Sequence, residues 1–180
     1  MKRKWLVLLL ALLLLGGANL RPVCAVTVAG EALEELYTPQ ALRRCRALAE
    51  ETAEEILQGR ALVPEPECRW RLSLHRARGN EKLLTDRLIR SVTGIRLRDG
   101  VFLNGQKLGT VEDGSALLSL LRSSILEQMP ASAVSGNISG RVQIRPLYTR
   151  SGSESSYEDM LQRILGMAPV VYLDSSGRVV

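Results

Sequence analysis

The chain of 180 residues carries 24 Lys and Arg against 19 Asp and Glu, a formal net charge of +5. Lys2, Arg3, Lys4 and Arg21 flank an N-terminal apolar run, and without them the two signs nearly cancel; the isoelectric point near 9.4 is set by the leader and gives no ground for a nucleic-acid partner. One His and three Cys exclude any metal site that needs two His, and any His-rich catalytic cluster.

Residues 1–4 form a basic n-region and residues 5–15, WLVLLLALLLL, an unbroken apolar run. The uncharged stretch ends at Leu20, about 16 residues in all, where a spanning helix needs roughly 20. That length fits a secretory signal, and Val23-Cys24-Ala25 offers a small-x-small cleavage point with Val26 as the first mature residue. The alternative is an uncleaved N-terminal anchor with its basic side in the cytoplasm. Either way residues 1–25 send the rest outside the cytoplasm, extracellular or on the outer face of the cytoplasmic membrane. Cys24 is not read as a lipidation site, because Arg21-Pro22-Val23 is a poor match to the apolar and small residues such a site needs. Cys45 and Cys68 then remain as an even pair that could form a disulfide in an oxidising compartment, or two small residues on buried faces.

The segment VTVAGEAL from Val26 recurs as VFLNGQKL from Val101, at an offset of about 75 residues. At that offset Val28 meets Leu103, Gly30 meets Gly105, Leu33 meets Leu108, Thr38 meets Asp113 and Leu42 meets Leu117. Each copy predicts a β-hairpin closed by Ala29-Gly30 or Asn104-Gly105, since Asn-Gly favours the positive φ of a two-residue turn. A long helix follows in each. Thr38-Pro39 starts the first, with Leu42, Cys45, Ala49, Ala53 and Ile56 on one face and a stop near Gly59. Asp113 starts the second, with Leu117, Leu121, Ile125 and Met129 on one face.

A strand comes next in both copies. From Cys68 to Arg76 the even positions Cys68, Trp70, Leu72 and Leu74 are apolar and the odd ones polar, which places Trp70 toward a core; Arg141-Val142-Gln143-Ile144-Arg145 repeats the alternation. A short helix closes each unit, lined by Leu84, Leu88 and Val92 in the first and by Tyr157, Met160, Leu161, Ile164 and Leu165 in the second, where Ser155 and Glu158 form a capping box. Residues 131–140 and 150–153 read as mobile loops, and Val171 opens what resembles a third hairpin. The expected architecture is therefore α+β: two tandem repeats of β-hairpin, long helix, long strand and short helix, over 26–100 and 101–180, after the signal or anchor.

The hairpin VFLNGQKLGTV and the elements after it resemble the N-terminal regions of secreted lysostaphin-type murein endopeptidases of Gram-positive bacteria. In that family a signal or anchor precedes one or two units of this form, and wall-binding modules and a zinc peptidase domain follow. The resemblance implies a cell-envelope, peptidoglycan-related setting. It implies no catalysis here, because the family's zinc is held by two His and an Asp and this chain has only His75.

His75 sits among Arg76 and Arg78, and its parity on the strand is opposite to that of Cys68, so neither a general base nor a Cys–His pair is expected. No Walker loop, GxSxG or CxxC is present, and no cofactor is implied. One constellation carries chemistry. Arg69 and Arg71 lie on the polar side of one strand, Arg96 and Arg98 on another, Arg141 and Arg145 on a third. If those strands are neighbours they make a basic face suited to phosphate, on an anionic wall polymer or a membrane surface, the plainer alternative being a solvated face. The expected function is a non-catalytic exported accessory or binding module of the bacterial cell envelope, with a protein partner also open. The rival is the N-terminal portion of a longer peptidoglycan hydrolase whose zinc peptidase domain is missing from this chain.

Overall fold

The computed structural model describes residues 20–180, so residues 1–19 of the expected signal or anchor lie outside the described residues. The chain divides into two compact units, one up to Thr93 and one from Gly94 to Val180. The class is α+β.

In the first unit β1 (Arg21–Val28) and β2 (Glu31–Tyr37) form an antiparallel hairpin. Its turn is Ala29 (φ 50°) and Gly30 (φ 84°), both in the left-handed region that a tight two-residue turn demands. β3 (Glu67–Ser73) pairs with the other side of β1, giving the order β2-β1-β3. α1 (Pro39–Leu57) begins at Thr38, whose hydroxyl accepts from the Ala41 amide at 3.1 Å, and ends at Gln58 in the αL conformation. Its buried stripe is Ala41, Cys45, Ala49 and Ala53, small side chains at a spacing of four that let α2 (Glu81–Ser91) come close. α2 is capped by Asn80 and buries Leu84, Leu88 and Ile89. Gly79, just before it, lies against the ring of the fully buried Tyr37; a Cβ there would stand 2.4 Å from the ring carbons.

The second unit also opens with a hairpin. β4 (Ile95–Leu103) and β5 (Gln106–Val111) turn through Asn104 (φ 52°) and Gly105 (φ 86°), and β7 (Val142–Arg150) pairs with β4 in the order β5-β4-β7. α3 (Gly114–Glu127) is capped by Asp113, which accepts from the Ser115 and Ala116 amides at 2.8 and 3.2 Å. α4 (Tyr157–Met167) is capped by Ser156, one residue later than the expected Ser155. Val101, Val111, Leu117, Leu121, Ile125, Met160 and Ile164 form one core cluster. Each hairpin carries a register irregularity, between Ala25 and Thr27 in one and between Val101 and Phe102 in the other.

Four expectations are corrected. First, the expected boundary at 100/101 moves back to Thr93/Gly94, because β4 is continuous from Ile95 and its first residues pair with β7 rather than closing the first unit. Second, Arg21–Ala25 do not fall outside the fold: they make five of the seven register pairs between β1 and β3, with Val23 and Cys24 fully buried. Third, residues 131–140 are not all loop. β6 (Ser135–Ile138) pairs with β8 (Val170–Leu173), and the Val134 and Ser139 amides donate to Leu173 and Pro169 at 2.8 Å. Past β8 the chain turns through Asp174–Gly177 and comes back, with Leu173 bridging to Val179. Fourth, Trp70 does not point into the core. It is 54% exposed, because α1 and α2 pack chiefly on β1 while β3 lies at the edge of the sheet.

Candidate functional site

The first unit's edge strand is where charge and apolar surface meet. In antiparallel pairs opposite residues share a face. Trp70 and Leu72 therefore lie on the face of Cys24 and Pro22, and Arg69 and Arg71 on the face of Ala25 and Val23. Leu72 is 65% exposed and Leu74 66%. The chain continues through His75, Arg76 and Arg78 to Gly79, and this stretch borders an open hollow of about 540 Å³ that Glu35 and Leu36 of β2 also line. Glu35 is engaged: it accepts from the Asn80 amide and from the Tyr37 hydroxyl. Arg69, Arg71, Arg76 and Arg78 have no ion pair among the described residues, whereas Arg44, Arg46, Arg87 and Arg98 all do. Four guanidinium groups within ten residues thus make no ion pair among the described residues and are open to an added anion.

The second unit treats its arginines differently. β4–β7 register puts Arg96 and Arg98 on the face of Thr149 and Leu147, and Arg145 opposite Gly100 on the same face. Arg98 is spent within the fold: its Nε donates to Glu154 at 2.7 Å, and both side chains are under 20% exposed. That hydrogen bond holds the Glu154 carboxyl below its ordinary range. Arg96 borders a small hollow with Arg98, Glu112 and Glu154, so the local field there is mixed. Arg145 lies over the Phe102 ring at 5.3 Å and donates to Gln143 at 2.5 Å. Arg141 sits at the turn end of the sheet, its amide donating to Asn104 Oδ1 at 2.9 Å. The six arginines thus do not form one face of one sheet: Arg69 and Arg71 belong to one sheet, Arg96, Arg98 and Arg145 to another, and Arg141 lies just before β7.

Of the two alternatives for Cys45 and Cys68, the structure has separate thiols rather than a disulfide; all three cysteines are free. Cys45 packs between the helices, its Sγ 3.4 Å from the Glu81 carbonyl, and burial raises its pKa. The thiol that Cys68 meets is Cys24, two residues along from its direct partner Val26 and on the same face. Burial first, and the Cys68 thiol second, push Cys24 up to about 11. Sequence reading missed this pair because Cys24 was assigned to the leader. No group of three or more His, Cys, Asp or Glu among the described residues is placed to hold a metal ion. No helix among the described residues is long and apolar enough to cross a membrane.

Comparison with protein-family models, with curated proteins and with solved structures finds no match.

Proposed function

We propose that this protein is an exported accessory module of the bacterial cell envelope that acts by contact rather than by catalysis, with its apolar leader retained as a membrane anchor. The observation that carries this reading is the start of β1 at Arg21, straight after the uncharged leader, with Val23 and Cys24 in the core. Cleavage after Ala25 would remove most of the central strand's pairing with β3, so a folded first unit is compatible with a retained leader and not with cleavage at that point. The two units are copies of one module. Supporting this are the strand order of the three-stranded sheets, the helix that follows each hairpin, the matched left-handed turns at Ala29-Gly30 and Asn104-Gly105, and the register irregularity beside Val26 and Val101. The contact partner is an anionic component of the envelope, which the unpaired arginines of the first unit would meet.

Expression with the native leader in a Gram-positive host tests the reading. The protein should sediment with membranes, keep an N-terminus whose mass includes residues 1–25, and be degraded when intact cells are treated with protease. A soluble protein resistant to external protease would overturn it.

A further inference from the structure

Building on the anchor reading above, we infer that the rim of the first unit from Arg69 to Arg78 is a membrane-contact surface that lies on anionic lipid headgroups beside the anchor. The position follows from the chain path. From Leu15, the end of the apolar run, to Arg21 is six residues, which can reach about 20 Å at most. Arg21 pairs with Ser73 and Pro22 with Leu72, and neighbouring strands lie about 4.8 Å apart. The fold thus holds the last residues of β3, and the segment after it, next to the point where the chain leaves the apolar leader. β3 runs antiparallel to β1 and therefore points its C-terminal end back toward that point.

The composition of the rim matches a headgroup layer. The stretch CRWRLSLHRAR contains four Arg and no acidic residue. Trp70 and Leu72 on β3 and Leu74 just after it are more than half exposed, an unusual cluster of apolar side chains to leave in solvent. Tryptophan favours the boundary between hydrocarbon and water, and arginine extends its aliphatic stem along apolar surface while its guanidinium meets phosphate. β3 is an edge strand, so both of its faces are reachable from the open side. Arg69, Arg71, Arg76 and Arg78 have no carboxylate partner among the described residues, and Glu35, the acidic group on the adjoining hollow, is taken up by Asn80 and Tyr37. A polymer could satisfy the guanidinium groups. It gives no reason for the exposed Trp70, Leu72 and Leu74, which a bilayer boundary does.

The two tryptophans make the test direct, because Trp5 reports the leader and Trp70 the rim. The full chain is reconstituted as Trp5→Phe and, separately, as Trp70→Phe, in phosphatidylcholine vesicles with and without phosphatidylglycerol. Emission wavelength, quenching by brominated lipid and quenching by acrylamide are read for each. In anionic vesicles Trp70 should shift to shorter wavelength, be quenched by brominated lipid and be shielded from acrylamide. The effect should weaken in pure phosphatidylcholine and in about 1 M salt, where screening acts over roughly 3 Å. Replacing Arg69, Arg71, Arg76 and Arg78 by Gln should lower the docked population, about fivefold for each arginine, with unchanged circular dichroism. Trp5 unquenched by brominated lipid would defeat the anchor reading itself. Trp5 quenched with Trp70 open to acrylamide in every vesicle would overturn the rim alone. So would equal Trp70 shielding in neutral and anionic vesicles, unchanged shielding in the four-Gln variant, or shielding that arises only on adding soluble polyglycerol phosphate.

Discussion

Arg98 and Arg69 carry the same charge into opposite circumstances. Arg98 is largely enclosed and bonded to Glu154, while Arg69 stands on an edge strand and makes no ion pair among the described residues. Arg98→Ala should therefore cost about 1.5–3 kcal/mol, the usual worth of a hydrogen bond to a charged group, read as a lower urea midpoint. Arg69→Gln should leave that midpoint almost unchanged. The Arg98 bond also has a pH signature. Because it lowers the folded pKa of Glu154, the stability it adds is full above the unfolded value near 4.5 and is lost as pH falls through the folded value. The acid limb of a stability–pH profile should accordingly be shallower in Arg98→Ala. A second residue-scale expectation concerns the thiols. Cys24 and Cys68 are neighbours on one sheet face, and Cys45 lies apart between the helices. Mild oxidation should give a Cys24–Cys68 cross-link in non-reducing peptide maps, and a Cys45–Cys68 peptide would contradict this geometry.

At the scale of elements, β1 is the strand on which the first unit depends, since β2 and β3 both pair with it and both helices pack on it. Deleting residues 1–25 should unfold this unit, whereas a chain beginning at Leu20 should keep a cooperative thermal unfolding transition. Loss of Val23 burial alone is worth about 1.5–3 kcal/mol, before the five lost pairings with β3 are counted. The junction of β3 and α2 is equally tight. Gly79→Ala would drive a methyl into the Tyr37 ring, and overpacking of this kind destabilises by about 1–3 kcal/mol, measurable as a lower melting temperature. The equivalent change at Gly59, which has nothing within 4 Å, is the control and should be silent or slightly stabilising.

Over the whole molecule, the division at Thr93/Gly94 separates two bodies that, among the described residues, each have a three-stranded sheet, two helices and an enclosed apolar core. The second also owns the extra pair β6 and β8, whose Tyr172 hydroxyl donates to the Ile125 carbonyl at 3.2 Å. A fragment from Gly94 to Val180 should fold alone and melt cooperatively, and a fragment starting at Val101 should not, because it loses the part of β4 that pairs with residues 146–150.

Local chemistry, which acts between near neighbours in sequence, was legible directly. The turns at Ala29-Gly30 and Asn104-Gly105, the caps Thr38 and Asp113, and the buried stripes Cys45-Ala49-Ala53 and Leu117-Leu121-Ile125 depend on positive φ, on hydroxyl or carboxylate acceptors, and on a period near 3.6. The paired hairpin-and-helix order followed from the same signals. What the alternation in CRWRLSL could not decide was which side of the strand would be covered, because period two tells which residues share a face and not where a helix lies. Only the strand order, with β3 at an edge and the helices over β1, left Trp70 in solvent. Strand β6 was equally hidden: Ser-Gly-Asn-Ile has no strand pattern of its own and takes its form from β8, more than thirty residues away. The charge of the six candidate arginines was plain from the amino-acid sequence. Whether each is spent on a carboxylate, as Arg98 is on Glu154, or left open, as Arg69 and Arg71 are, rests on long-range placement, and only the tertiary structure decided it.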